Sequence, residues 1–196
     1  MARSEDIVTE RLLITPLGKE HISSKYLGWL NDKDLMRYSE QRHRNHNSQS
    51  CLEYLRSFED SPHHLWAIIE QQDGLGHVGN INAYVNEQNL LADIGIVIGE
   101  RNAQGRGYAL EAWRAVSAYL FDKVGIRKIS AGTLAANTPM LKLMRQAGMV
   151  EDGIRKRHFL CDGQEMDVVH MALFIPGCIQ TKTAKANEQR RDSKYK

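Results

Sequence analysis

The segment ADIGIVIGERNAQGRGYA, residues 92–109, sets a run of apolar residues directly against a cluster of glycines, and the sixteen residues that follow, LEAWRAVSAYLFDKVG, read as a helix. Gly105 and Gly107 therefore stand at the helix N-terminus. Glycine is among the poorest helix formers, and its use there is to let the backbone turn or come close to something else. A helix start also carries unpaired N–H groups and a partial positive charge of roughly half an elementary charge, which suits a phosphate. The next strand is RKISAGTLAA, so the strand–helix–strand passage demands parallel neighbours.

Elsewhere strands follow one another without helices between them, and those neighbours must be antiparallel. VTERLLITPL predicts a strand over residues 8–15, closed by Pro16. Ile22, Tyr26, Leu27 and Leu30 recur at helical spacing over residues 20–30. Ser48 is the expected cap of a second helix carrying Leu52, Leu55 and Phe58. HLWAIIEQ and HVGNINAYV form two strands about the turn QDGLG, and NEQN turns into LLADIGIVIG. A short helix runs from Thr138 to about Gln146, and VEDGIRKRHFLC and EMDVVHMALF close the chain as a strand pair about DGQ. The expectation is an α/β domain over residues 7–175, with a mixed, mostly antiparallel seven-stranded sheet flanked by helices.

Net charge is +2, but residues 176–196 hold six Lys or Arg against Glu188 and Asp192, a local excess of +4 that leaves −2 for the rest. The basic segment reads as a solvated, disordered tail, and a nearly neutral body is a poor nucleic-acid surface. No apolar run approaches the length of a membrane span, and the first residues lack a signal peptide's apolar stretch, so a cytoplasmic location is expected. Cys51, Cys161 and Cys178 are widely spaced and odd in number, which reads as free thiols. The histidines show no metal-ligand spacing, and no metal is assigned.

Three phosphate-cradling loops compete for the glycines. A Walker loop ends in G-K-[ST], where this chain has G-Y-A. A dinucleotide fingerprint needs a third Gly or Ala, where this chain has Leu110. The pattern Q-x-x-G-x-A at Gln104, Gly107 and Ala109 fits, and resembles the acetyl-CoA pyrophosphate loop of the GNAT superfamily of N-acetyltransferases. NTPMLKLMRQAGM resembles that family's segment in which an Asn precedes a short helix, with Asn137, Gly148 and Met149 at matching positions. The order of elements agrees over residues 7–174, and the branch resembled holds amino-sugar and ribosomal-protein N-terminal acetyltransferases.

The resemblance implies acetyl-CoA as co-substrate, with main-chain groups of Ile96, Val97 and Ile98 pairing with pantetheine and Gln104, Gly105, Arg106, Gly107, Tyr108, Ala109 and Asn137 completing the cofactor site. It implies direct attack by an amine, with Asp93 matching the position where some members carry a catalytic Glu, and Glu100 as second candidate base. Many members carry a proton-donating Tyr seven residues after the Asn, and others a Ser three residues after it. This chain has Met144 and Met140. For the acceptor, Trp29, Tyr38 and His43 would offer a stacking face and hydrogen bonds, and Arg157 and His158, with Arg37 or Arg155, would meet a nucleotide-linked amino sugar. N-terminal protein acetylation and a non-catalytic acetyl-CoA-binding module are the alternatives. A homodimer is left open.

Overall fold

The computed structural model describes residues 4–175; the basic tail lies outside the described residues, as does Cys178. Eight strands form one sheet in the order β1-β2-β3-β4-β5-β6-β8-β7. They are β1 (Ile7–Val8), β2 (Leu12–Pro16), β3 (His64–Glu70), β4 (Gly76–Asn86), β5 (Leu91–Ile98), β6 (Lys128–Leu134), β7 (Val150–Cys161) and β8 (Gln164–Phe174). The count exceeds the expected seven because the first strand is broken. Thr9 Oγ1 donates to Leu12 O (3.2 Å) and accepts from Leu12 N (3.1 Å), closing a tight turn that folds Ile7 back onto Ile14.

Helices α1 (Ser24–Asn31) and α2 (Ser48–Glu59) cover one face, and α3 (Tyr108–Tyr119) and α4 (Thr138–Gln146) serve the other. α1 starts later than its periodicity suggests, because Ser23 Oγ accepts from Tyr26 N (3.2 Å) and residues 19–21 form a separate 3-10 turn. α2 is capped by Asn47 rather than Ser48. Asn47 Oδ1 accepts from Ser50 N (2.9 Å) while Ser50 Oγ accepts from Asn47 N (3.1 Å), a reciprocal box. α3 widens into a π-helical turn over Leu120–Val124 and stops at Gly125, whose φ is +79°.

β3 is buried on both sides, and this is why HLWAIIE is a nearly continuous apolar run. Trp66 and Ile68 join Leu12, Ile81, Trp113 and Val116 in the core beneath α3. Leu65 and Ala67 point the other way, to Tyr26, Cys51 and Phe58 of α1 and α2. Cys51 and Cys161 are buried free thiols, and Cys51 packs among Tyr26, Phe58 and Leu65.

Candidate active site

All neighbours in the sheet are antiparallel except β5 and β6, which pair in parallel at only Leu91↔Lys128, Ala92↔Ile129 and Asp93↔Ser130. β4 continues to pair with β5 as far as Ile98, and β8 with β6 as far as Leu134. The two halves of the sheet thus part beyond Asp93, and the edge of β5 facing β6 has no ladder partner over Ile94–Ile98. Such a backbone edge must find hydrogen bonds elsewhere. A cavity of about 1020 Å³ fills the gap. Both faces of the sheet contribute to it: Asn80, Asn82, Tyr84, Gly95 and Val97 from the α1/α2 side, and Ile94, Ile96, Asn137 and Met140 from the α3/α4 side.

At one end of the gap β5 runs into the glycine loop. Gly105 (φ +75°) and Gly107 (φ +84°) are both left-handed, and Gly107 is the N-cap of α3, so the first amides of the helix are turned outward beside the loop. The loop is braced from beneath. Arg106 pairs with Asp73 (2.7 Å), to which the buried Tyr108 also donates its hydroxyl (3.1 Å). Arg11 donates to Arg106 O (3.0 Å), lies over the Tyr108 ring at 4.7 Å and is salt-bridged to Glu111 (2.6 Å). Tyr108 is therefore a packing residue, and its expected place in the cofactor site reduces to its backbone. Gln104 lines the cavity and donates from Nε2 to Ile98 O (3.0 Å), so the carbonyl of Ile98 already has a partner in the chain. Ile96, Val97 and Asn137 line the cavity, whereas Gly105, Arg106, Gly107 and Ala109 continue past its end. Asn137 caps α4, accepting from Met140 N (3.3 Å) and donating to Thr133 Oγ1 (3.0 Å). An unpaired strand edge leading to a left-handed glycine turn at a helix start fits a pantetheine arm ending in a pyrophosphate.

Asp93 sits at the vertex of the gap, on the α1/α2 face, cross-strand from Tyr84. Its side chain does not line the cavity; it accepts from Ser130 Oγ (2.9 Å). Although the residue stays exposed to solvent, the chain packed around its carboxylate raises its pKa above the ordinary Asp value, against the opposing effects of the Ser130 hydrogen bond and of His170. Glu100 is salt-bridged to Lys25 (2.7 Å), and that hydrogen bond, with one from Asn102 N, lowers its pKa; both make it a poor base.

The acceptor residues expected from sequence are only partly brought together. Tyr38 lines the cavity. Trp29 does not: it is 8% exposed, packed edge-on to His77 with ring centroids 5.0 Å apart, and is part of the core under α1. His43 is exposed and outside the cavity. Arg157 and His158 lie exposed on β7, away from the cavity; Arg157 N donates to Asp167 (2.9 Å), and its guanidinium stands 3.6 Å from Glu165. Asp167 is held by Lys156 (2.8 Å) rather than by His158. β7 is exposed along nearly its whole length, and periodicity cannot tell such an edge strand from a site wall. Met144 is fully buried in the main core, and Met140 is the methionine of α4 that reaches the cavity. Sequence reasoning missed Tyr26, Tyr54, Asn80, Asn82 and Tyr84. The signal for the last three was present as polar residues at every second position of NINAY.

A family model described as an acetyltransferase (GNAT) domain matches residues 11–150. The uncharacterized N-acetyltransferase p20 of Bacillus licheniformis is 26% identical over 117 residues, which span 60% of this chain and 65% of that protein, just under two thirds of it. Among solved structures, the ribosomal-protein α-N-acetyltransferase RimL in complex with coenzyme A superposes with a TM-score of 0.77 at 17% identity, over 87% of this chain and 98% of that one. The spermidine N-acetyltransferase from Vibrio cholerae, in complex with CoA and spermine, gives 0.75 at 20% identity, over 85% and 96%. The family model spans more than half of the sequence and the fold agrees with it throughout: the chain belongs to the GNAT acetyltransferase family, a family of acyl-transferring enzymes.

Proposed function

We propose that this protein moves an acetyl group from acetyl-CoA to the primary amine of a small hydroxylated acceptor, such as an amino sugar, by direct attack. The observation that carries the reading is the parting of β5 from β6 beyond Asp93, which opens one cavity to both faces of the sheet. Acetyl-CoA supplies an activated thioester; the new bond joins the acceptor nitrogen to the acetyl carbon as the carbon–sulfur bond breaks and CoA leaves as thiolate. The chain's own part is positioning. The free edge of β5 holds the pantetheine arm, the start of α3 receives the pyrophosphate, and the α1/α2 side receives the amine. Asp93, at the vertex of the gap and just outside the cavity wall, takes up by way of water the proton that the amine loses. The thiolate is protonated by water, since a thiol of pKa near 8.5 is a tolerable leaving group.

The arginines on the cavity wall are Arg44 and Arg101, and Arg101 is held by Asp32 (3.0 Å). Arg37, Arg155 and Arg157 lie elsewhere, so the geometry favours the amino-sugar part of a nucleotide-linked acceptor over its diphosphate. The test is CoA release against amino sugars, their nucleotide-linked forms, polyamines and N-terminal peptides. Turnover with amino sugars supports the reading, turnover confined to peptides replaces the acceptor with a protein N-terminus, and binding of acetyl-CoA without any turnover makes the chain a binding module.

A further inference from the structure

We infer that Asn80, seconded by Asn82, is the residue pair that reads hydrogen-bonding groups of the acceptor and selects a hydroxylated monoamine over a polyamine. The inference rests on the transferase reading above. Asn80 lies in the middle of β4, 9% exposed, between Ala67 of β3 and Val97 of β5, neither of which offers its side chain a partner. Its Oδ1 is buried without a hydrogen bond, and the residue forms part of the cavity wall. Whichever way the carboxamide is turned, one polar atom is left unmatched. A buried carboxamide in that condition costs stability, and a valine there would serve the strand better. The cost is recovered when a ligand supplies the missing donor.

Asn82, two residues on, also makes no side-chain hydrogen bond among the described residues and shares the same face. Gly95 stands opposite it, and a Cβ there would lie 3.0 Å from Asn82 Oδ1, so the glycine leaves that carboxamide room. Tyr84 is third in the row, its hydroxyl 2.9 Å from that of Tyr54. The cavity wall on this side is thus a row of uncharged groups that both donate and accept. The carboxylates on the wall are Asp32, Asp34 and Glu40; Asp32 is paired with Arg101, Glu40 with Arg42 (2.9 Å), and Asp34 is exposed. Hydroxyl groups match such a row, whereas a chain of ammonium groups would lose hydration against it, and the one wall carboxylate without an ion pair among the described residues, Asp34, stands exposed to water.

The experiment compares wild type with Asn80→Leu and Asn80→Asp, measuring thermal midpoint, acetyl-CoA affinity by calorimetry, and kcat/KM for glucosamine and for spermidine. Asn80→Leu is expected to raise the midpoint, leave acetyl-CoA affinity within twofold, and lower kcat/KM for glucosamine at least tenfold through KM. Asn80→Asp, which keeps the shape and adds a charge, is expected to move the glucosamine-to-spermidine preference at least tenfold toward spermidine. An unchanged KM for glucosamine in Asn80→Leu, or an unchanged preference in Asn80→Asp, overturns the inference, as does a wild type that prefers spermidine. Silence of the wild type toward every amine overturns the transferase reading and this inference with it, and is told apart because the former failures require turnover.

Discussion

Gly107 holds φ at +84°, a region that costs an L-residue about 1–2 kcal/mol, and Arg11 Nη2 lies 3.5 Å from where its Cβ would be. Gly107→Ala should therefore lower the thermal midpoint by several degrees and weaken acetyl-CoA binding; calorimetric affinity equal to wild type would remove this loop from the cofactor site. On α4, placing a phenol at Met144, where many family members carry one, has a different outcome from the one that sequence spacing suggests. Met144 is fully buried, so Met144→Tyr should overpack the core, cost about 1–3 kcal/mol in denaturant unfolding, and yield no faster turnover. Met140→Tyr would put the phenol on the cavity wall instead. Asp93→Asn should slow transfer about 10²-fold at neutral pH, with part of the loss recovered as rising pH frees more amine; a wild-type rate and pH profile would return Asp93 to a partner of Ser130 and nothing more.

The hairpin of β3 and β4 carries two groups that make it acid-sensitive. Glu70 is buried, which disfavours its charge. Yet its carboxylate accepts from the backbone N–H groups of Asp73 (2.7 Å) and Leu75 (3.0 Å), and also of Gln72, and together these hold its pKa below the usual value. Burial, with His21 and Lys25 nearby, pushes His77 down to about 4 despite its bond to Gly79 O. For His77 the unfolded chain binds the extra proton first, so stability falls as pH drops from about 6.5 toward 4. For Glu70 the stabilisation present above the unfolded pKa is lost as pH falls through the folded one. Both act in the same direction. Chemical denaturation followed between pH 7 and 4 should show a steep loss that His77→Phe makes shallower above pH 4. The elements themselves were legible where periodicity and turn chemistry agreed, as in β3, β4 and α4. Two details depended on side-chain bonds that spacing does not reveal: the Thr9 turn that splits the first strand, and the Asn47 box that moves the start of α2.

Across the whole molecule, one tie joins residues 9–11 to the glycine-loop end of the gap. Glu111, in the first turn of α3, accepts from Thr9 Oγ1 (2.6 Å), Arg11 N (3.0 Å) and Arg11 Nε (2.8 Å), about a hundred residues away. Glu111→Ala should cost about 2–3 kcal/mol and loosen acetyl-CoA binding together, because the same guanidinium props the loop at Arg106 O; lost stability with unchanged affinity would confine the tie to the fold. No local pattern foretold this contact. The glycine loop, at the proposed cofactor end of the gap, was readable in the sequence because a glycine turn after a strand is a local event. The rest of the cavity wall was not, because it is assembled from α1, α2, β4 and the segment between the helices, and Trp29, His43, Arg157 and His158 are placed elsewhere by packing and edge exposure. The gap between β5 and β6 has one further bearing. In the proposed arrangement the sheet is the partition between the two reactants, so a single molecule bearing a CoA arm tethered through sulfur to the acceptor's amine would thread the sheet and engage both faces at once. Its two halves would each raise the other's effective concentration, so that shortening either end would weaken the grip of the whole.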